Sequence, residues 1–270
     1  MNSSTKFVHL RCHSEFSISD SILRIKDIIK KTAENSMPSI ALTDLNNVFA
    51  LLKFYRTARD NQIKPVLGAE ILVETEISQN ANNSNKNNPK NNKTPNAFPL
   101  LVLVKNNDGY KTLCELMTKA YLEINNSPLL GQAVIKRKWL QDLQNPNLIA
   151  LSGFGNNSEI GNFLSKQQFQ EAQNSTRFFQ KIFGETNFFI EIQRIYNTQD
   201  LQILQENQIQ IDNFASKYQQ QEQLIFDSLK LADELNVGVV ATQAIQFMQP
   251  QDFEAHEVRV CISEGDTLHN

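Results

Sequence analysis

Short apolar runs alternate with segments of helical periodicity along most of the chain. The runs suit buried strands, and the segments between them repeat apolar residues every three or four positions, as amphipathic helices do. This order predicts an α/β protein built from right-handed strand–helix–strand units with parallel strands. The predicted strands cover residues 7–10, 39–42, 63–73, 100–104, 148–151, 188–192 and 237–241, and the predicted helices cover 22–33, 47–58, 110–121, 167–183, 225–235 and a segment starting near 252.

The count of strands and the absence of phosphate loops favour a barrel over a dinucleotide-binding sheet. Seven strand candidates alternate with helices, and the sequence has neither a G-x-G-x-x-G turn nor a Walker loop. Asp20 or Ser21 is expected to cap the first helix. We predict one domain over residues 1–270.

Two polar segments interrupt the alternation. Residues 78–97 are rich in Asn, with nine Asn among residues 80–96, and this composition predicts a disordered surface loop. Residues 199–223 are rich in Gln but keep spaced apolar positions, and are interpreted as an inserted, exposed helical hairpin.

Composition narrows the class of protein. The chain has 270 residues, 40% hydrophobic, with 26 Lys and Arg against 29 Asp and Glu, so its net charge of −3 does not favour tight wrapping of nucleic acid. No apolar stretch is long enough to cross a bilayer, and no signal-peptide core opens the sequence. Three distant cysteines cannot form a disulfide framework. We expect a cytoplasmic protein without a membrane partner.

Polar side chains stand at the ends of the predicted strands, where the active residues of barrel enzymes lie. Arg11 and His13 are two positions apart, so on an extended strand they share one face. The converging strand ends are expected to form one pocket from Arg11, His13, Asp20, Asp44, Glu70 and Gln246.

Five segments carry a family resemblance: FVHLRCHSEFSISD, PSIALTDLNN, IKPVLGAEILVE, VATQAIQF and DFEAHEVRVCI. In this order they resemble the polymerase and histidinol phosphatase (PHP) domain at the N-terminus of bacterial DNA polymerase III alpha subunits. The resemblance implies a distorted (β/α)7 TIM-like barrel. It also implies that active relatives bind up to three divalent metals and hydrolyse phosphoesters.

The resemblance also shows where this chain departs from the metal-binding pattern. The family's ligands are expected at nine positions, and of these only His13, Asp20 and Glu70 keep a metal-binding side chain here. The other six positions hold Arg11, Leu45, Pro99, Phe154, Ala244 and Gln246. We therefore expect a vestigial pocket with no metal, no cofactor and no catalytic residue, in which Arg11 is a counter-ion for Glu70, Asp20 and Asp44.

The function implied by the resemblance is structural. The parent enzyme would be a DNA-directed DNA polymerase, and this domain would support the rest of the alpha subunit and dock the proofreading exonuclease subunit, reaching DNA only through the full-length enzyme. Two other functions stay open: a metal-dependent phosphoesterase or intrinsic 3′–5′ proofreading nuclease, and a DNA-binding module.

Several residues have structural interpretations beside the functional ones. His13 is also explained as a buried hydrogen-bonding histidine, and His256 as a packing or capping residue. His9 has no evident partner. Cys12 is interpreted as an inert core thiol, and the basic run 136–138 as a solvated face.

Overall fold

A computed structural model describes residues 7–18, 20–75, 97–127, 129, 131–197, 199, 211–265 and 267–268. Its strands are β1 (Ser39–Leu42), β2 (Lys64–Glu74), β3 (Ala97–Val104), β4 (Leu148–Leu151), β5 (Phe188–Ile192) and β6 (Gly238–Ala241). Its α-helices are α1 (Ile25–Glu34), α2 (Leu51–Asp60), α3 (Asn107–Leu122), α4 (Arg137–Gln141), α5 (Glu159–Ser165), α6 (Phe169–Phe183), α7 (Ile211–Glu234) and α8 (Phe253–Glu264). Every helix described is too short or too polar to cross a membrane.

The six described strands form one curled sheet in the order β1-β2-β3-β4-β5-β6. This mixed α/β architecture is consistent with the expected distorted barrel. The expectation of parallel strands holds for β1–β2, β4–β5 and β5–β6. It is wrong for β3, which runs antiparallel to both of its neighbours. The apolar sequence of β3 fits either direction, because a strand buried on both faces reads the same both ways.

The first predicted strand, residues 7–10, is not a strand in the structure. The segment still lies beside β1, since the Ala41 amide donates to the His9 carbonyl at 2.8 Å. On its other side the His13 amide donates to the Ile245 carbonyl at 3.2 Å. The ladder is irregular because the Thr43 hydroxyl accepts the Cys12 amide (3.0 Å) in place of a backbone carbonyl. The N-terminal segment thus lies between β1 and the chain after β6 without regular pairing.

Two of the predicted helices start later than expected. The helix predicted at 22–33 begins at Ile25 after Arg24, and neither Asp20 nor Ser21 caps it. Ser21 instead donates to the carbonyl oxygens of His13 (2.8 Å) and Gln246 (2.9 Å). The helix predicted at 47–58 spans Leu51–Asp60. It starts later because residues 47–49 form a turn, in which the Asn47 side-chain oxygen accepts a hydrogen bond from the Phe49 amide.

The two polar segments are described only in part. The Asn-rich loop predicted at 78–97 lies outside the described residues except at its last position. There the prediction of a loop is wrong, because Ala97 begins β3. In the Gln-rich segment, residues 211–223 are helical, in keeping with one arm of the expected hairpin, and they continue without a break to Glu234 as helix α7. The remainder of this prediction, apart from residue 199, lies outside the described residues. The short helices α4 and α5 were not predicted.

Alternation along the strands divides the core into an outer layer and an interior. Ile71, Val102 and Ile190 point outward to pack against helices, whereas Leu101, Leu151 and Phe189 point inward. Because side chains alternate with a period of two, the same alternation directs Glu70 of β2 and Glu191 of β5 into the interior. The interior of the barrel therefore contains one layer of apolar side chains and, next to it, one layer of charged side chains, called here the charged level.

Candidate functional site

Arg11 lies at the centre of the charged level. Its side chain is 3% exposed, and Nε and Nη2 donate to Oε1 and Oε2 of Glu191, each at 2.9 Å. Its Nη1 contacts Oε2 of Glu70. One guanidinium therefore joins β2 to β5 and places a permanent positive charge between two buried carboxylates.

Phe154 covers one side of this guanidinium, with its ring centroid 5.2 Å from the Arg11 carbon Cζ. The chain reaches this position through Gly153, whose φ is +78°. A β-carbon on Gly153 would lie 2.9 Å from that of Ser158. Glycine at this turn thus allows Phe154 to contact Arg11.

Glu191 has further hydrogen bonds that hold its carboxylate. The Thr242 hydroxyl donates to Oε1, and the Gln193 amide nitrogen lies 2.8 Å from the Thr242 oxygen. The backbone amide of Glu191 donates to the Ser152 hydroxyl at 3.0 Å. Residues from β4, β5 and the end of β6 therefore fix the acidic partner of Arg11.

His13 continues the network towards Asp20. Its Nε2 lies 3.2 Å from Oε2 of Glu70, and its Nδ1 contacts Oδ2 of Asp20. Asp20 also accepts a hydrogen bond from the Gln246 side chain at 2.7 Å. Since a neutral imidazole carries only one N–H, the ring donates to both carboxylates only when both nitrogens carry a proton.

Asp44 stands apart from Arg11. Its Oδ1 accepts the Ser14 amide at 2.6 Å, the Ser14 hydroxyl at 2.9 Å and the Ser17 hydroxyl at 2.8 Å. Its negative charge is therefore compensated by hydrogen bonds within the turn that follows the N-terminal segment. Asp44 thus fixes this turn and is not a partner of the guanidinium.

The structure brings together five of the six residues predicted for the pocket. A continuous chain of contacts runs from Glu191 through Arg11, Glu70, His13 and Asp20 to Gln246. Asp44 contacts the same region through the backbone amide of Ser14, next to His13. The predicted counter-ion role of Arg11 is therefore wrong for Asp20 and Asp44 and holds for Glu70. Glu191 takes the place of the other two carboxylates.

Sequence reasoning missed Glu191. Its signal was present, because Glu191 is the one charged residue in the apolar strand Phe188–Ile192, and a carboxylate there requires a buried partner. Thr242 and Gln193 had no such signal, since neutral polar residues are common where strands end.

Cys12 lies under this region, fully buried. Burial, and secondarily the negative charge of Asp44, raise the pKa of its thiol to about 12. The thiol stays protonated at neutral pH, so it is not a nucleophile. This agrees with the interpretation of Cys12 as an inert core residue.

The remaining two histidines considered above and the basic run 136–138 lie outside the Arg11 network. His256 lies 3.1 Å through Nε2 from the Asp20 carbonyl, so it supports the turn that carries Asp20. The Nδ1 atom of His9 is buried without a hydrogen-bond partner in the described structure, and burial lowers the His9 pKa. Within the run 136–138, Arg137 is buried and pairs with Glu159 at 2.8 Å, so the solvated-face interpretation is wrong for this residue.

The chain matches known proteins over almost all of its length. Residues 9–195 match the PHP domain family. This chain belongs to the PHP domain family. The DNA polymerase III subunit alpha of Vibrio cholerae serotype O1 is 33% identical over 268 residues, covering 99% of this chain and 20% of that protein. The same subunit of Pseudomonas aeruginosa is 32% identical over 262 residues, covering 97% and 19%.

This PHP chain thus spans about a fifth of the length of the curated relatives it matches. Among solved structures, a candidate metal-dependent phosphoesterase from Bifidobacterium adolescentis aligns with a TM-score of 0.43 and 9% identity, over 95% of this chain and 97% of the other.

The residues of this PHP domain do not fit the metal cluster that the family resemblance implies. Oε2 of Glu70 faces the guanidinium of Arg11 and also Nε2 of His13. A divalent cation at Glu70 would therefore lie beside a permanent positive charge. Within the described residues, no three His, Cys, Asp or Glu side chains are arranged to hold a metal ion. Leu45, Pro99, Phe154 and Ala244 have no side-chain donor atom for a metal.

Proposed function

We propose that this chain is the N-terminal PHP domain of a replicative DNA polymerase III alpha subunit, and that it is a non-catalytic structural domain. Its polymerase relatives and the family match support the first part. The second part depends on one observation, the buried guanidinium of Arg11 between Glu70 and Glu191. A fixed cation in this position holds the two strands together as a metal would, without its reactivity.

The chemistry of the pocket supports a structural role. Two metals that clamp the attacking and leaving oxygens must be held about 3.5–4 Å apart by several lone-pair donors. Here the surviving donors already have partners. Glu70 contacts Arg11 and His13, and Asp20 contacts His13 and Gln246. These contacts can stabilise the barrel, and they occupy the side chains that would otherwise bind a metal.

The first test measures metal content and hydrolysis together. After incubation with Zn²⁺ and Mn²⁺ and then dialysis, elemental analysis of this chain should find substoichiometric metal. A labelled primer–template should keep its 3′ end, because no metal-activated nucleophile forms. His13→Ala is the control for contamination, since a contaminating nuclease would persist in that variant. Stoichiometric metal with nucleotide release that is lost in His13→Ala would establish the alternative, a phosphoesterase or proofreading nuclease.

The second part of the proposal concerns partners. As in the resembling polymerase subunits, the domain would support the remainder of the alpha subunit and dock the separate proofreading exonuclease subunit. Immobilised chain should retain the exonuclease subunit of the same replisome in a pull-down, whereas an unrelated α/β barrel on the same resin should not. Equal retention on both resins would contradict docking and leave the structural role of Arg11 unaffected.

A further inference from the structure

An apolar groove lies between α2 and the start of α3, at the end of the sheet where β2 begins and β3 ends. It encloses about 430 Å³ and is lined by Leu52 and Tyr55 of α2, Leu67 of β2, Val104 of β3 and Tyr110 of α3. Glu70 and the charged pocket lie further along β2, towards its carboxyl end. The groove is therefore separate from the Arg11 network.

Large side chains on the rim of the groove are open to solvent. Leu52 is 61% exposed, Tyr55 45% and Tyr110 39%. Helix α2 packs into the core through Phe54, Ala58 and Leu51, the last of which also reaches the groove. Leu52 and Tyr55 are therefore left outside the core. Clustered exposed apolar residues of this kind are typical of interaction surfaces.

The same side of α2 is positively charged. Leu52, Tyr55, Arg56 and Arg59 are spaced i, i+3, i+4 and i+7, so they share one face of the helix. Lys105 lines the opposite wall and donates to the Asn187 side chain at 3.0 Å. Positive charge therefore lies on both sides of the apolar centre, with Lys105 on one wall of the groove and Arg56 and Arg59 beside the other wall on α2.

Arg56 and Arg59 differ from the helical cations that already have a carboxylate partner. Lys31 and Lys230 each have a carboxylate partner within one helical turn. Within the described part of the chain, Arg56 and Arg59 take part in no ion pair. The acid nearest in sequence on the α3 side, Asp108, is paired with Lys111 at 3.4 Å. An acidic partner would therefore find cations that need not first release another carboxylate.

We propose that this groove binds an acidic, apolar polypeptide segment of a partner protein. An apolar anchor residue would occupy the groove between Tyr55 and Tyr110, and flanking carboxylates would pair with Arg56, Arg59 and Lys105. Tyrosine and arginine are the residue types that most often dominate binding energy at interfaces. This surface is independent of the proposed structural role of Arg11.

The charge of the chain argues against nucleic acid as the occupant. Affinity for DNA depends on many phosphate contacts, and the groove offers three cations on a chain of net charge −3. Its floor is formed by aliphatic Leu67 and Val104, which suit a leucine or phenylalanine side chain.

The experiment selects peptides from a random dodecapeptide phage library on the intact chain and measures the binding of synthetic enriched peptides by fluorescence anisotropy. Enriched sequences should place Asp or Glu around Leu, Phe or Trp. Tyr55→Ala and Arg56→Glu should each weaken binding about tenfold or more, and added salt should weaken binding to the unaltered chain.

Matched controls use exposed residues elsewhere. Phe226→Ala, at a ring that is 63% exposed on α7, and Lys181→Glu, at an exposed position on α6, should leave binding unchanged. The proposal is overturned if no peptide is enriched, if enriched peptides lack acidic residues, or if Tyr55→Ala binds as well as Phe226→Ala. It is equally overturned if labelled oligo-dT binds through Tyr55 and Arg56 while peptides do not.

Discussion

Replacing Arg11 with alanine should lower the free energy of unfolding by roughly 3–5 kcal/mol, because it leaves buried carboxylates without their cation. Glu191 would lose two hydrogen bonds of 2.9 Å, and Glu70 would lose its contact with Nη1. Both carboxylates are at least nine-tenths buried, so solvent screens their charges little. Urea denaturation monitored by circular dichroism measures the change.

Arg194 supplies a matched control for Arg11. Its Nε and Nη2 donate to the two oxygens of Glu222 at 2.8 Å each, which is the same forked geometry. The Arg194 side chain is 58% exposed, so solvent screens the pair and Arg194→Ala should cost less than about 1 kcal/mol. If both variants unfold at the midpoint of the unaltered chain, Arg11 does not stabilise the barrel and the proposed function loses its main support.

Arg137→Ala should also lower the free energy of unfolding by roughly 3–5 kcal/mol, because Glu159 would remain buried and unpaired. Arg137 is 7% exposed and donates to Oε1 of Glu159 at 2.8 Å. Its guanidinium also lies 3.7 Å from the ring centroid of Phe178, so packing is lost together with charge. The same urea denaturation measures this change.

The neighbouring Lys136 is the control for Arg137. It also contacts a carboxylate, that of Glu123, and an aromatic ring, that of Trp139. Its side chain is 39% exposed, so Lys136→Ala should cost less than about 1 kcal/mol. A loss in Lys136→Ala as large as that in Arg137→Ala would show that burial does not distinguish these two cations.

Strand ends and residue spacing were enough to predict part of the residue set of the candidate pocket. Arg11 and His13, two positions apart, both reach Glu70 as expected. Glu191 was missed because it is 180 positions from Arg11, and no local pattern connects them. Asp44 was assigned to the wrong partner, since serine hydroxyls three and six positions beyond Arg11 meet its charge instead.

Local patterns in the sequence were enough to predict the α/β class and six of the strands, because period and apolar content are local properties of the chain. Tertiary structure alone decided that β3 runs antiparallel, that residues 7–10 stay irregular, and that Arg137 is buried. It also decided which carboxylates surround Arg11. A buried charge must be neutralised by whatever group the fold places within hydrogen-bonding distance, and that group is set by the packing of distant segments.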